Sequence, residues 1–417
     1  MELLIRAARS DTRVIETLCT PAAAGLLAVD QLPLAGLVVD APLAVSHPTF
    51  AKTVRAAAVP LLIDPLTPLL LSEQAPDHAW ARLPFGVGRA LTLGELSLPD
   101  AQDRYVEAVI EFQRANGATW LIPPYLYATE PSDPAFDVGL QLLARTARYL
   151  DRRQLGLPVV PVFAGSLLGF GPRPAWSDGL DRFLRTAAML ENLRYVAFSW
   201  STSGPGKESA GKLMHLLTAT EHAASISHII SWRQGLYGLA LAACGADGYE
   251  TGAGRGERLH YPKFLADQKP QLPRPEEDED GPRGSAFVYL GPLGRSVRRK
   301  AGTALLSDPR VAGSLVCLHP DTCCPNGPES MKVQWREHAV RARAGELRDL
   351  EAIPPNRSWR LNAAAARSSQ ASLVARAANE VLASASTPVT DRLPDQVFAD
   401  LTRIFSEMRD RGQTQVA

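Results

Sequence analysis

Three of the five cysteines in this 417-residue chain crowd into one stretch, Cys317-Leu-His319-Pro-Asp-Thr-Cys323-Cys324, and His338 follows on a predicted helix. A close group of sulfur and imidazole ligands in a turn, completed by a histidine from the next helix, is what tetrahedral zinc takes. Cys317, His319, Cys323, Cys324 and His338 are therefore the candidate ligands of a structural zinc. Four protein ligands leave no open position, which argues against a catalytic metal. The plain alternative is that the thiols are small buried side chains.

A second group of chemically capable residues stands at the ends of short apolar runs. Asp40 ends Gly36–Ala41 but for one residue, Asp64 ends Val59–Asp64, and Glu250 ends Ala246–Glu250. Tyr125, Tyr127, Ser199, Trp200, Ser231, Trp232, Arg233 and Gln234 occupy similar places. A carboxylate held at such an end serves as general base, nucleophile or acceptor for a substrate amine. We therefore take Asp40, Asp64 and Glu250 as candidate catalytic groups. Asp40 before Ala-Pro and Asp64 before Pro-Leu-Thr-Pro also suit a turn or a helix N-cap. Arg233 and Gln234 offer a planar guanidinium and an amide to an anionic or heterocyclic group, and Trp232 and Tyr125 offer rings. The glycines around Gly245-Ala-Asp-Gly248-Tyr-Glu250-Thr-Gly252-Ala-Gly254 permit close backbone approach to a ligand. They add Gly252, Gly254 and Arg258 as candidate substrate contacts; the same glycines also suit a long loop crossing a barrel mouth.

These residues converge only if the apolar runs form one sheet. Eight candidate strands are visible: Gly36–Ala41, Val59–Asp64, Ala118–Pro123, Leu157–Ala164, Leu193–Trp200, Ser227–Trp232, Ala246–Glu250 and Ala286–Leu290. Helical segments separate them, such as Asp100–Asn116, Pro134–Gln154, Asp178–Glu191, Ala210–Ala224 and Gln234–Gly245. Continuous apolar strands are buried on both faces, and eight of them favour a (β/α)8 TIM-type barrel of the α/β class, with its active site at the carboxyl ends of the strands. The alternative is an open doubly wound sheet, for which no G-x-G-x-x-G fingerprint follows the first strands. We place the barrel at residues 1–315. The Cys/His cluster and a helical extension occupy 316–417, with helices expected at Met331–Ala352, Ser358–Ala385 and Pro394–Arg411. Ala266–Gly284, rich in proline and acidic residues, is expected as a loop.

Lysine and arginine equal aspartate and glutamate, 44 against 44, so no global field draws the chain to nucleic acid or to an anionic membrane. Arg6, Arg9, Asp11, Arg13 and Glu16 interrupt the apolar residues at the N-terminus, unlike a signal peptide. A cytoplasmic protein without a membrane partner is expected, its oligomeric state open.

A barrel followed by a C-x-C-x2-C type cluster, a histidine on a helix and a helical end resembles the tRNA-guanine transglycosylases and their DNA-modifying relatives. The residues that carry the resemblance are Cys317-x-His319, Cys323 or Cys324, and His338. It implies a structural zinc, an aspartate nucleophile that exchanges a base at a glycosidic bond, and a nucleobase-containing substrate in tRNA or DNA. With no D-S-G-G-F-Q segment in the chain, the resemblance leaves Asp40 and Asp64 as the candidate nucleophiles. Two other readings stand beside it: a glycoside hydrolase using two rim carboxylates, and a non-catalytic scaffold whose Ala/Arg-rich helices engage a partner.

Overall fold

In the computed structural model, residues 1–12, 14–15, 34–73, 79–167, 175–201, 208–253, 257, 260–262, 287–317, 320–384 and 392–414 are described. Eight parallel strands follow the chain: β1 (Glu2–Ala7), β2 (Leu34–Asp40), β3 (Leu61–Asp64), β4 (Tyr127–Ala128), β5 (Val162–Ser166), β6 (Val196–Ser201), β7 (Ile229–Trp232) and β8 (Gly248–Gly252). Their order is β3-β2-β1-β8-β7-β6-β5-β4. The two outer strands are joined through the segment before β4. Trp120 bridges Leu62, and Leu121 bridges Val159. The ladder thus runs right round, as in a (β/α)8 barrel.

Two of the eight expected strands are corrected. The first strand is Glu2–Ala7, whose run Leu3-Leu4-Ile5 is wholly buried. Ala286–Leu290 was expected as the eighth barrel strand. Its described part is instead β9 (Phe287–Leu290), an antiparallel partner of β10 (Arg295–Arg298) outside the ring. The expected strand Ala118–Pro123 makes single bridges only, because Pro123-Pro124 cannot donate to a ladder, and regular pairing resumes at Tyr127. The expected loop Ala266–Gly284 lies outside the described residues.

Period-2 alternation divides each strand between two cores. Leu4, Val38, Leu62, Ile122, Val162, Ala197, Ile230 and Trp232 fill the barrel interior. Leu3, Ile5, Leu37, Leu61, Phe163, Phe198 and Tyr249 face the helices outside. Those helices include Pro99–Ala115, Pro134–Arg152, Ala175–Ala187, Ala210–Ala224 and the short Gly238–Ala243. They lie close to their expected spans. Asp133 caps Pro134–Arg152 by accepting from Ala135 N at 3.0 Å.

The C-terminal part is helical as expected: α1 (Trp335–Ala352), α2 (Arg357–Ser384) and α3 (Asp395–Thr414). The helix α1 packs on β1 and β9. Arg336 pairs with buried Asp11 at 2.6 Å, and the Met1 amine pairs with Glu351 at 2.5 Å. No described helix is long and apolar enough to cross a membrane.

Gly248 lies so close to β1 that a Cβ there would overlap the Glu2 carbonyl. Gly248→Ala should therefore lower the unfolding free energy by about 3 kcal/mol or more, as overpacking against rigid backbone does, measured by urea unfolding.

Candidate active site and Cys/His centre

On β1, β2 and β3 the inward-facing position near the carboxyl rim is polar where the layer beneath it is apolar. Arg6 follows Leu4, Asp40 follows Val38, and Asp64 follows Leu62 two residues on, so all three point into the mouth. Asp40 and Asp64 are direct partners in the β2–β3 ladder. Glu250 pairs across to Trp232 and to Leu4. Four strands thereby bring one cation and three carboxylates together.

Arg6 is the hub. Its Nε donates to Glu250 Oε1 at 2.6 Å, Nη1 to Asp40 Oδ1 at 2.5 Å, and Nη2 to Asp64 Oδ2 at 2.8 Å. Its guanidinium carbon lies 5.3 Å from the Trp232 ring centre. Burial opposes the Arg6 charge, yet Glu250, Asp64 and Asp40 outweigh it and hold the pKa well above the ordinary arginine value. For Glu250 burial wins: its pKa is raised although Arg6 and Arg233 pull it down.

Arg233 adds a second cation from the turn after β7. Its φ of 53° is left-handed, a conformation that costs a non-glycine residue on the order of 1 kcal/mol. In that conformation its amide donates to Glu250 Oε2 at 2.9 Å while Nη2 reaches Asp40 Oδ1 at 2.9 Å. Strain of this kind is held where surrounding contacts over-determine it.

Of the three acids, Asp64 and Glu250 have no exposed side-chain surface, whereas Asp40 is 31% exposed. Asp40 begins the short helix Ala41–Ser46 without capping it, so its side chain is committed to the arginines. Asp64 does both jobs: Oδ1 accepts from Leu66 N and from the Tyr125 hydroxyl, each at 3.0 Å. Burial and the adjacent Asp64 hold the Tyr125 hydroxyl protonated, well above the usual tyrosine range. Thr67 Oγ1 accepts from Tyr125 N at 2.9 Å and fixes that loop.

Gln234 donates to the carbonyls of Trp200 and Trp232 at 3.1 and 3.0 Å. Ser231 Oγ, Trp232 Nε1, Arg233 Nε and Gln234 Oε1 are buried without a hydrogen-bond partner among the described residues. Ser199 Oγ lies 3.3 Å from the Tyr261 hydroxyl, and Tyr261 stacks on Tyr127 with ring centres 4.7 Å apart. The Gly252 carbonyl accepts from Arg343 at 3.1 Å, on the side of the C-terminal helices. Gly254, Arg258 and His319 lie outside the described residues.

Arg6 and Tyr261 escaped the reading of the sequence. Arg6 closes the apolar run Leu3-Leu4-Ile5, so treating that run as a strand would have nominated it by the rim rule. Tyr261 lies in the segment after β8, where no periodicity marks it.

On the outer side of the barrel, Cys317, Cys323, Cys324 and His338 come together, all buried, with potential ligand atoms within 4.8 Å of one another. Cys317 Sγ is 3.8 Å from His338 Nε2, and the sulfurs of Cys323 and Cys324 are 3.5 Å apart. Ligand bonds of about 2.0–2.3 Å in a zinc tetrahedron imply ligand separations of about 3.5–3.8 Å; these two separations match, and three thiols with an imidazole are a donor set that suits such an ion. His338 Nδ1 lies 3.3 Å from the Cys323 carbonyl, and Nε2 lies 3.0 Å from the Tyr289 carbonyl. An outer carbonyl on Nδ1 is the usual support for ligation through Nε2. Sharing of hydrogens among the three thiols draws Cys324 far below the ordinary thiol pKa, with Cys317 pushed up and Cys323 pushed up to about 12.

No family model matches the chain, and no curated protein matches it. Among solved structures it is similar to one described as a phosphonomutase from Burkholderia cenocepacia J2315, at 14% identity and a TM-score of 0.29. That match covers 64% of this chain and 89% of the other. It is also similar to the carboxyl transferase domain of Rhizobium etli pyruvate carboxylase with pyruvate, at 11% identity and a TM-score of 0.38. There the match covers 98% of this chain and 60% of the other, so the chain spans less than two thirds of that structure. Likeness at this level carries no argument about function.

Replacing Arg6 by Met should leave buried carboxylates without their cation and cost on the order of 3–5 kcal/mol at neutral pH. The orphaned acids then bind protons more tightly folded than unfolded, so the deficit should shrink as pH falls toward about 4. Urea unfolding of both proteins across that range checks the sign. Metal analysis of protein purified without added metal should find one metal ion per chain, and Cys324→Ser should lose it and melt at lower temperature.

Proposed function

We propose that the chain is an enzyme acting on a nucleobase or nucleoside-like substrate at the barrel mouth, by transglycosylase-type base exchange in tRNA or DNA. The observation that supports this most is the convergence of Asp40, Asp64 and Glu250 on Arg6, with Asp40 alone of the three reaching solvent. Arg6 and Arg233 meet on one Asp40 oxygen and hold that carboxylate in a fixed orientation at the mouth, as a positioned nucleophile requires. Asp64 and Glu250 are the buried acids that fix the arginines. Trp232 Nε1, Arg233 Nε and Gln234 Oε1, without partners among the described residues, are two donors and an acceptor on consecutive residues. The polar edge of a heterocycle is a partner of that kind.

The Cys317, Cys323, Cys324 and His338 set is taken as the holder of a structural zinc, which when bound would tie Cys317 and the Cys323–Cys324 pair to α1 through His338. No catalytic step passes through it.

The test is incorporation of labelled guanine into bulk tRNA and, in parallel, into duplex DNA. The intact protein should label one of them and form a covalent adduct on a denaturing gel. Asp40→Asn, folded by circular dichroism, should lose at least about a thousandfold in rate, the scale of removing a nucleophile. Full activity in that variant, or no labelling of either nucleic acid by the intact protein, rejects the proposal.

A further inference from the structure

Between the outer wall of the barrel and the C-terminal helices lies a cavity of about 350 Å³. It is separate from the mouth. Tyr249, which lines it, and Glu250, which joins Arg6, are neighbours on β8 and therefore face opposite sides of the sheet. Its walls are apolar over most of their area, with Leu239 and Ala240 on one side and Ala364, Leu401 and Phe405 on the other. The volume falls within the roughly 300–1,000 Å³ of small-molecule sites.

Three arginines line the cavity, and two of them are neutralised. Arg343 contacts Glu257 and donates to the Gly252 carbonyl. Arg367 pairs with Glu346 at 2.9 Å, and Glu346 also accepts from the Tyr289 hydroxyl at 3.0 and 2.8 Å. Arg341 differs. Arg341 is only half-buried as a residue, but its Nε is buried with no hydrogen-bond partner among the described residues. A buried N–H of a cation left over at the edge of an apolar cavity is a donor that a bound anion would satisfy.

We propose that this cavity is a binding site for a small hydrophobic carboxylate, with the apolar body against Leu239, Ala240 and Phe405 and the carboxylate on Arg341. One carboxylate suffices, because Glu257 and Glu346 already serve the other two arginines.

The probe is 2-naphthoate, titrated calorimetrically into the full-length protein of measured metal content, with 2-naphthylmethanol as its neutral counterpart. We expect one site per chain, at least tenfold weaker binding of the alcohol, and at least a tenfold loss in Arg341→Gln. Ala240→Phe, which fills the cavity, should abolish binding; Ala364→Leu gives the same reading should Ala240→Phe not fold. Absence of naphthoate binding overturns the proposal. So does binding that is indifferent to the filling variants, or equal affinity for acid and alcohol.

Discussion

One buried guanidinium holds the rim of this barrel together. Arg6 comes from the first strand and meets a carboxylate from each of β2, β3 and β8. Three carboxylates at such short range repel one another. The cation allows them to coexist, and its planar fork fixes where each oxygen lies. Burial makes this arrangement unforgiving, since loss of one member leaves the others desolvated and unpaired. The left-handed backbone at Arg233 belongs to the same constraint: it lets the amide serve Glu250 while the side chain serves Asp40.

A gradient of exposure follows from that geometry. Asp64 and Glu250 sit at the closed end of the network, and Asp40 at its open end. Equivalent side chains thereby acquire unequal access to anything entering from solvent. Their chemistry is divided by position alone.

Much of the ring was legible because buried parallel strands read as continuous apolar runs. Leu61–Asp64 and Ile229–Trp232 fall inside expected segments for that reason, and Val196–Ser201 overruns its segment by one residue. The same signal misled at Phe287–Leu290, whose buried run is locally indistinguishable from a barrel strand; only the turn through Gly291–Gly294 and the polar Arg295–Arg298 mark a hairpin. Asp40, Asp64 and Glu250 were visible as strand-end acids, but their common partner was not. Arg6 stands in a segment where charge was weighed as evidence about export rather than as a strand tip. The Cys/His cluster was readable as a composition, since thiols and imidazole so close in sequence have few other reasons to meet in space.

The place of β1 in the ring sets the timing of assembly. It pairs on one side with β2 and on the other with β8, so Arg6 lies beside Gly252, nearly 250 residues further along the chain. Loop closure over that distance has to be met before the contact stabilises anything. During synthesis, the N-terminal strand therefore waits with one edge unpaired until β8 has left the ribosome. Glu250 can join Arg6, Asp40 and Asp64 only at that late step, which makes ring closure and completion of the buried charge network a single event.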